Sequence, residues 1–176
     1  VDLDGTASIL SRLAGQSVKP FYKLEQAKII LSLDFDFVGT EQDASRMIRG
    51  FAQHRKPSQP TDEMNRLYVV ESLMTLTGFS ADHRLRVGPG AMAAVAAAVA
   101  AELAPGDSAI QALAAKLPLP AQVKPAWVEE CAKDLAAHKG ASLVLAGHRQ
   151  PAVVQALAAV LNGLLQNNGK TIFYLD

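Results

Sequence analysis

Residues 66–92 read RLYVVESLMTLTGFSADHRLRVGPGAM. Within them, residues 67–70 form a short apolar run bounded by charged side chains, the pattern of a strand buried on both faces of a parallel sheet. A loop follows, then the pair Ala81-Asp82, a short extended piece at 85–87, and Pro89-Gly90. Proline suits the first turn of a helix, where its missing N–H would have no intrahelical partner. A helix over 89–103 is therefore expected, with Met92, Val95, Val99 and Leu103 on one face and alanines around them. Strand, loop and helix in that order form the repeating unit of an α/β sheet.

The same unit recurs on either side. Residues 28–33, KIILSL, make a first strand, and a helix follows over 41–54 with Ala44, Met47, Ile48 and Phe51 at helical spacing. Thr40 is the expected N-cap, and Lys56-Pro57 ends that helix. Beyond the central unit, Pro105, Pro118 and Pro120 break up an excursion that holds one short helix, 108–116. A helix over 125–138 turns Val128, Cys131, Ala132 and Leu135 inward, anchored by Trp127 and closed by Gly140. Residues 142–146, SLVLA, are a third buried strand. A helix over 151–166, a stop at Asn167-Asn168-Gly169, and a last strand at 171–175 complete the alternation. The expected architecture is one domain over 1–176. It is a three-layer, Rossmann-like α/β fold, with a parallel sheet, helices on both faces and right-handed crossovers.

Composition narrows the function. Seventeen Lys plus Arg balance seventeen Asp plus Glu, so no net field draws nucleic acid or an anionic membrane. One cysteine, Cys131, lies on an apolar helical face and reads as core. No C-x-x-C exists to hold zinc or an iron–sulfur cluster. The longest apolar run, 91–101, is too short to span a bilayer. Val1 opens inside ordinary domain sequence, so a fragment of a longer polypeptide is expected.

In an open parallel sheet, ligands bind beyond the carboxyl ends of the strands, where the strand order reverses. Those ends carry Asp34-Phe35-Asp36, Glu71-Ser72 and Gly147-His148. Asp34 and Asp36 are two residues apart and, in an extended chain, share a side. They could offer oxygen ligands to a divalent cation or serve acid–base work. Short acidic side chains in such turns also satisfy exposed backbone N–H groups, and no further acidic motif completes a metal site. A pyrophosphate is a poor fit. No G-x-G-x-x-G or Walker sequence occurs, and two like charges about 4 Å apart near a surface cost on the order of a few kcal/mol. His148 is the one histidine expected at this edge, with Arg149 beside it as an anion contact; alone in a turn, it reads as a solvated or capping residue. Asp82 is expected to pin its loop by accepting backbone N–H groups.

The segments resemble the molybdopterin oxidoreductase family. There the stretch corresponding to 66–92 reads roughly V-V-I-D-P-R-x-T-x-T-A-x-x-A-D, followed by P-G-T-D. AKIILSLDFDF at 27–37 looks like that family's strand and G-x-N-P-like turn, and SLVLAGH with LNGLLQNNGK at 142–170 looks like its closing strand and helix. Glu71 stands where the family has its nucleotide-binding Asp, Leu73 replaces its Arg, and Met92 replaces the Asp after Pro-Gly. The S-L-D-x-D-F, V-E-S-x-x-T-L-T-G-x-x-A-D-H-R-L and N-N-G-K-T wording is most similar to one branch, the molybdopterin-like, iron–sulfur-bearing subunit of the quinol-oxidising assembly called alternative complex III.

That resemblance implies a fold like the nucleotide-binding domains of formate dehydrogenase and DMSO reductase-type enzymes. It also implies a scaffold domain in a membrane-associated respiratory complex, on the periplasmic side in bacteria, not catalytic on its own. No cofactor is expected in this domain: a molybdopterin dinucleotide is disfavoured, and the iron–sulfur clusters lie elsewhere in the polypeptide. Partners would be a ferredoxin-like cluster domain of the same chain and other subunits, with no nucleic acid and no membrane span. Asp34, Asp36, Glu71, Thr75, Thr77 and His148 are the vestigial cofactor-binding positions, with no catalytic residue and no metal ligand. The residues themselves leave a second function open: a small-ligand- or nucleotide-binding domain using the strand-end carboxylates.

Overall fold

A computed structural model describes residues 5–59 and 62–175. The strands among them are β1 (Lys19–Tyr22), β2 (Ile29–Leu33), β3 (Arg66–Glu71), β4 (His83–Arg86), β5 (Ser142–Ala146) and β6 (Ile172–Leu175). The helices are α1 (Gly5–Ala14), α2 (Ala44–Ala52), the single turn α3 (Leu76–Phe79), α4 (Met92–Leu103), α5 (Ser108–Lys116), α6 (Pro125–Ala137) and α7 (Ala152–Leu164).

Strands β4-β3-β2-β5 form a parallel sheet in that order. β2 and β5 are buried along their whole length, as their nearly continuous apolar sequences require. Ile29, Leu31, Leu33, Tyr68, Val70 and Val144 face the core shared with α4, α6 and α7. The alternate residues Ile30, Leu67, Val69, Leu143 and Leu145 face Met47 and Phe51 of α2, with Phe35 and Phe37 from the turn after β2. Each fully buried Leu, Ile, Val or Phe contributes about 1.5–3 kcal/mol of transfer free energy. The alanines of α4 have a direct reason: this helix packs against α5, α6 and α7 at once, and seven of its eight alanine and valine side chains up to Ala100 are buried because small side chains let three neighbours approach.

Two expectations are corrected. The strand at the end of the chain does not complete the parallel alternation: β6 pairs antiparallel with β1 in a separate two-stranded ribbon, from Lys19↔Leu175 to Tyr22↔Ile172. Its residues are half exposed beyond Ile172, unlike those of a parallel-sheet interior. Thr40 does not cap α2. The helix starts at Ala44, and Asp43 precedes it in the left-handed region at φ 59° with no side-chain cap bond. The extended piece near 85–87 is β4, and α1, β1 and α3 were not legible as elements.

The outer edge of β5 is closed by side chains rather than by another strand. Asn162 of α7 accepts from Val144 N (3.0 Å) and donates to Val144 O (2.7 Å). Thr171 Oγ1 donates to Ser142 O at 2.6 Å, and Asn167 Oδ1 accepts from Ser142 Oγ at 3.1 Å. Gln155 Nε2 donates to Gly147 O at 2.7 Å. All four are buried, so α7 and the turn after it satisfy an edge that would otherwise recruit a strand.

Candidate functional site

β3 and β4 lie on one side of β2 and β5 on the other, so the direction of strand addition reverses between β2 and β5. The loops leaving those two strands meet there, at the position where α/β sheets hold ligands. Gly147 brings them together. A Cβ at Gly147 would sit 2.0 Å from Asp34 O, so a side chain there would push the loops apart.

Glu41 and His148 bridge the junction. The Glu41 side chain is 6% exposed and that of His148 11%, with Oε2 of Glu41 3.0 Å from Nδ1 of His148. The other oxygen, Oε1, accepts the His148 backbone N–H at 3.2 Å. The pair lines a cavity of about 80 Å³, together with Tyr22, Phe35, Thr40 and Arg46. Arg46 is held in place: Nη1 donates to Tyr22 O at 2.6 Å, and the guanidinium lies 4.0 Å over the Phe21 ring. Burial pushes the Glu41 carboxyl above its ordinary pKa, against hydrogen bonds from His148 that favour the ion. Burial likewise holds the Tyr22 phenol far above its usual range, so it stays a neutral O–H group.

The strand-end acids take separate hydrogen-bond partners. Asp34 has φ 58°, which breaks the extended alternation on which a shared side for Asp34 and Asp36 depends. Its Oδ2 accepts from Gln150 Nε2 at 2.7 Å, while Asp36 Oδ1 accepts from Thr77 N (3.1 Å) and Thr77 Oγ1 (2.8 Å). Burial raises the Asp34 pKa, with the Gln150 hydrogen bond opposing it. Asp36 is 8% exposed and works as the anchor of α3.

Glu71 is 1% exposed. Its Oε2 accepts from Thr75 Oγ1 (2.7 Å) and Thr75 N (3.3 Å), and its Oε1 accepts from Arg84 Nε at 2.5 Å. Thr75 in turn caps α3 by accepting Gly78 N, and Thr77 Oγ1 accepts Val38 N. Glu71 with Thr75, and Asp36 with Thr77, thus make two sets of hydrogen bonds that fix the turn 72–79 against the sheet. Two glycines stand against their carboxylates. A Cβ at Gly78 would lie 1.8 Å from Glu71 Oε1, and one at Gly39 would lie 2.1 Å from Asp36 Oδ2.

This arrangement does not suit a pterin dinucleotide. The acid expected to meet a guanine has both oxygens engaged inside the protein. Leu73 is 77% exposed, and Met92 is 1% exposed in the core. Among the described residues no group of three or more His, Cys, Asp or Glu could hold a metal ion. No protein-family model matches the sequence, and no curated protein matches it.

Asp82 pins its loop as expected, accepting Leu67 N at 2.7 Å, and Arg55 adds a two-pronged ion pair with Nη1 at 2.8 Å and Nη2 at 2.6 Å. Cys131 is fully buried, and Trp127 meets Tyr68 edge-on. His148 is not a solvated turn residue. Its partner Glu41 escaped sequence reading because the two lie 107 residues apart. Arg84 escaped because only the register of β4 on β3 sets it beside Glu71.

Proposed function

We propose that this chain is a cofactor-free docking domain of a respiratory electron-transfer assembly. In this reading it is a molybdopterin oxidoreductase-like domain, of the doubly wound type found in formate dehydrogenase and DMSO reductase-type enzymes, retained for its shape. One observation carries the reading. The turn after β3, where the resemblance places nucleotide contacts, turns its polar groups inward and its apolar groups outward. Leu73, Met74, Leu76 and Phe79 are 77%, 64%, 60% and 78% exposed within seven residues. Monomeric proteins seldom leave so many large apolar side chains together in water unless a partner covers them.

The turn is suited to docking because it is rigid. Glu71, Asp36, Thr75 and Thr77 fix its backbone before any partner arrives, which lowers the entropy cost of association. Among the described residues no helix is long and apolar enough to cross a membrane, so attachment to a membrane assembly would run through protein contacts. The resemblance names those contacts as an iron–sulfur domain of the same polypeptide and neighbouring subunits of a quinol-oxidising complex.

The reading is tested by acid extraction and oxidation of the full-length polypeptide carrying this chain, with the released pterin read by fluorescence. No pterin above the blank is expected. A stoichiometric pterin dinucleotide that is lost from a Glu71→Gln variant would overturn the reading and restore a cofactor site.

A further inference from the structure

The parallel sheet ends in β5 on one side and in β4 on the other. Side chains of α7 and the turn after it seal the edge of β5, whereas that of β4 is open. We propose that a partner's acidic segment adds to the free edge of β4 as an extended strand. The inference rests on the docking reading above and specifies how the partner is held.

The register decides which backbone groups of β4 face outward. Asp34 N donates to Val70 O and Arg66 N to Lys28 O, so the even-numbered residues of β3 face β2. Val69 and Glu71 therefore face β4, and Glu71 O accepts from Val87 N at 3.0 Å. In a parallel ladder, such a residue bonds the two neighbours of its register partner. Val69 is in register with Arg84, and Glu71 with Arg86. The N–H and C=O of Arg84 and Arg86 thus point away from β3. Among the described residues no other segment bonds them, unlike Val144 on β5.

The side chains select the partner's charge. Arg84 reaches Glu71, which holds the turn 72–79 through Thr75, so Arg84, Arg86 and the turn share one face of the sheet. Arg84 is paired there, but Arg86 is exposed with no ion pair among the described residues. Leu73 of the turn lines one groove with Arg86, and no acidic residue lines that groove. The carboxylates of Glu71 and Asp82 are committed to Arg84 and Arg55. A strand with an acid beside Arg86 and an apolar residue toward Leu73 complements both. A second copy of the chain does not. Residues that bond across an antiparallel pair sit directly opposite, so self-pairing would set Arg84 or Arg86 against the same arginines, and like charges there repel.

Amide hydrogen exchange of the full-length polypeptide, alone and within its assembly, tests the inference. Exchange at Arg84 and Arg86 should slow by about tenfold or more on assembly, as free edge amides become paired. Arg86→Gln should weaken assembly about tenfold, while Arg86→Lys should stay within about threefold of the parent. Arg84 and Arg86 amides that exchange freely in an assembly still broken by Leu76→Lys, Phe79→Lys would overturn the added strand and leave the docking reading standing. An assembly indifferent to those two lysines would sink the docking reading, and this inference with it. Protection that grows with the concentration of the polypeptide alone would assign the edge to a second copy and overturn the proposal. An affinity unchanged in Arg86→Gln would overturn the acidic partner.

Discussion

Asn162 makes to Val144 both hydrogen bonds that a neighbouring strand would make, accepting at 3.0 Å and donating at 2.7 Å. Both residues are 1% exposed, so water cannot replace the lost contacts when the amide is removed. An unsatisfied buried group costs about 1–3 kcal/mol. Asn162→Leu should therefore destabilise the chain by about 2–4 kcal/mol for the two groups, read from urea unfolding. It should also expose a strand edge and raise concentration-dependent self-association. A variant within about 0.5 kcal/mol of the parent, the range of an ordinary surface change, would contradict the edge-sealing role.

Gly78 and Gly163 should respond in opposite directions to alanine. A Cβ at Gly78 would lie 1.8 Å from Glu71 Oε1, beside the Glu71–Thr75 hydrogen bonds that help fix the turn 72–79. Gly78→Ala should cost about 1–3 kcal/mol through overpacking. A Cβ at Gly163, in the last turn of α7, meets nothing within 4 Å. Gly163→Ala should stabilise by about 0.5–1 kcal/mol through reduced unfolded-state entropy and better helix propensity. Equal effects in thermal unfolding would show that Gly78 is not held by Glu71.

The buried acids predict a stability maximum on the acid side of neutrality. Burial raises the pKa of Asp34 and of Glu41, so each binds its proton more tightly in the folded state. Stability then rises as pH falls from neutral through those raised values. Asp82 behaves oppositely. Burial pushes it up, but the Arg55 hydrogen bond and the Leu67 N–H more than reverse this and hold it below its ordinary value. Its contribution is present above the unfolded value, about 4, and is lost as pH falls through the depressed folded one. Asp34→Asn should raise the urea midpoint at pH 7 and flatten the rise, since asparagine tolerates φ 58° and still accepts from Gln150. Asp82→Asn should lower the midpoint at pH 7. A parent midpoint that falls steadily from pH 7 to 4 would contradict the assignment of Asp34 and Glu41.

Much of the sheet was legible because β2, β3 and β5 are nearly continuous apolar runs, the pattern of a strand covered on both faces. The partner of β6 was not legible. Thr171 to Leu175 reads as a strand, but nothing in five residues distinguishes a parallel interior from a ribbon with β1, and Pro20 argues against β1 itself. The role of Asp82 could be read because its loop is local and its acceptor chemistry has few outlets. The pairing of Glu41 with His148 could not, because it depends on which strands adjoin. Asp34 misled for a backbone reason: at φ 58° two residues apart no longer means the same side. The outward apolar turn at 73–79 was equally hidden: it reads as a loop, and which of its side chains face out is set only once the inward hydrogen bonds of Glu71 and Thr77 are placed.

The docking claim is tested most directly by the double substitution Leu76→Lys, Phe79→Lys in the full-length polypeptide. Both side chains are more than half exposed, and neither takes part in the hydrogen bonds that fix the turn. Thermal unfolding should change by less than about 0.5 kcal/mol, as for ordinary surface substitutions. Co-purification of the assembly's other subunits, scored on native gels beside the parent, should be lost. Full recovery of the assembly with both lysines in place would contradict the account.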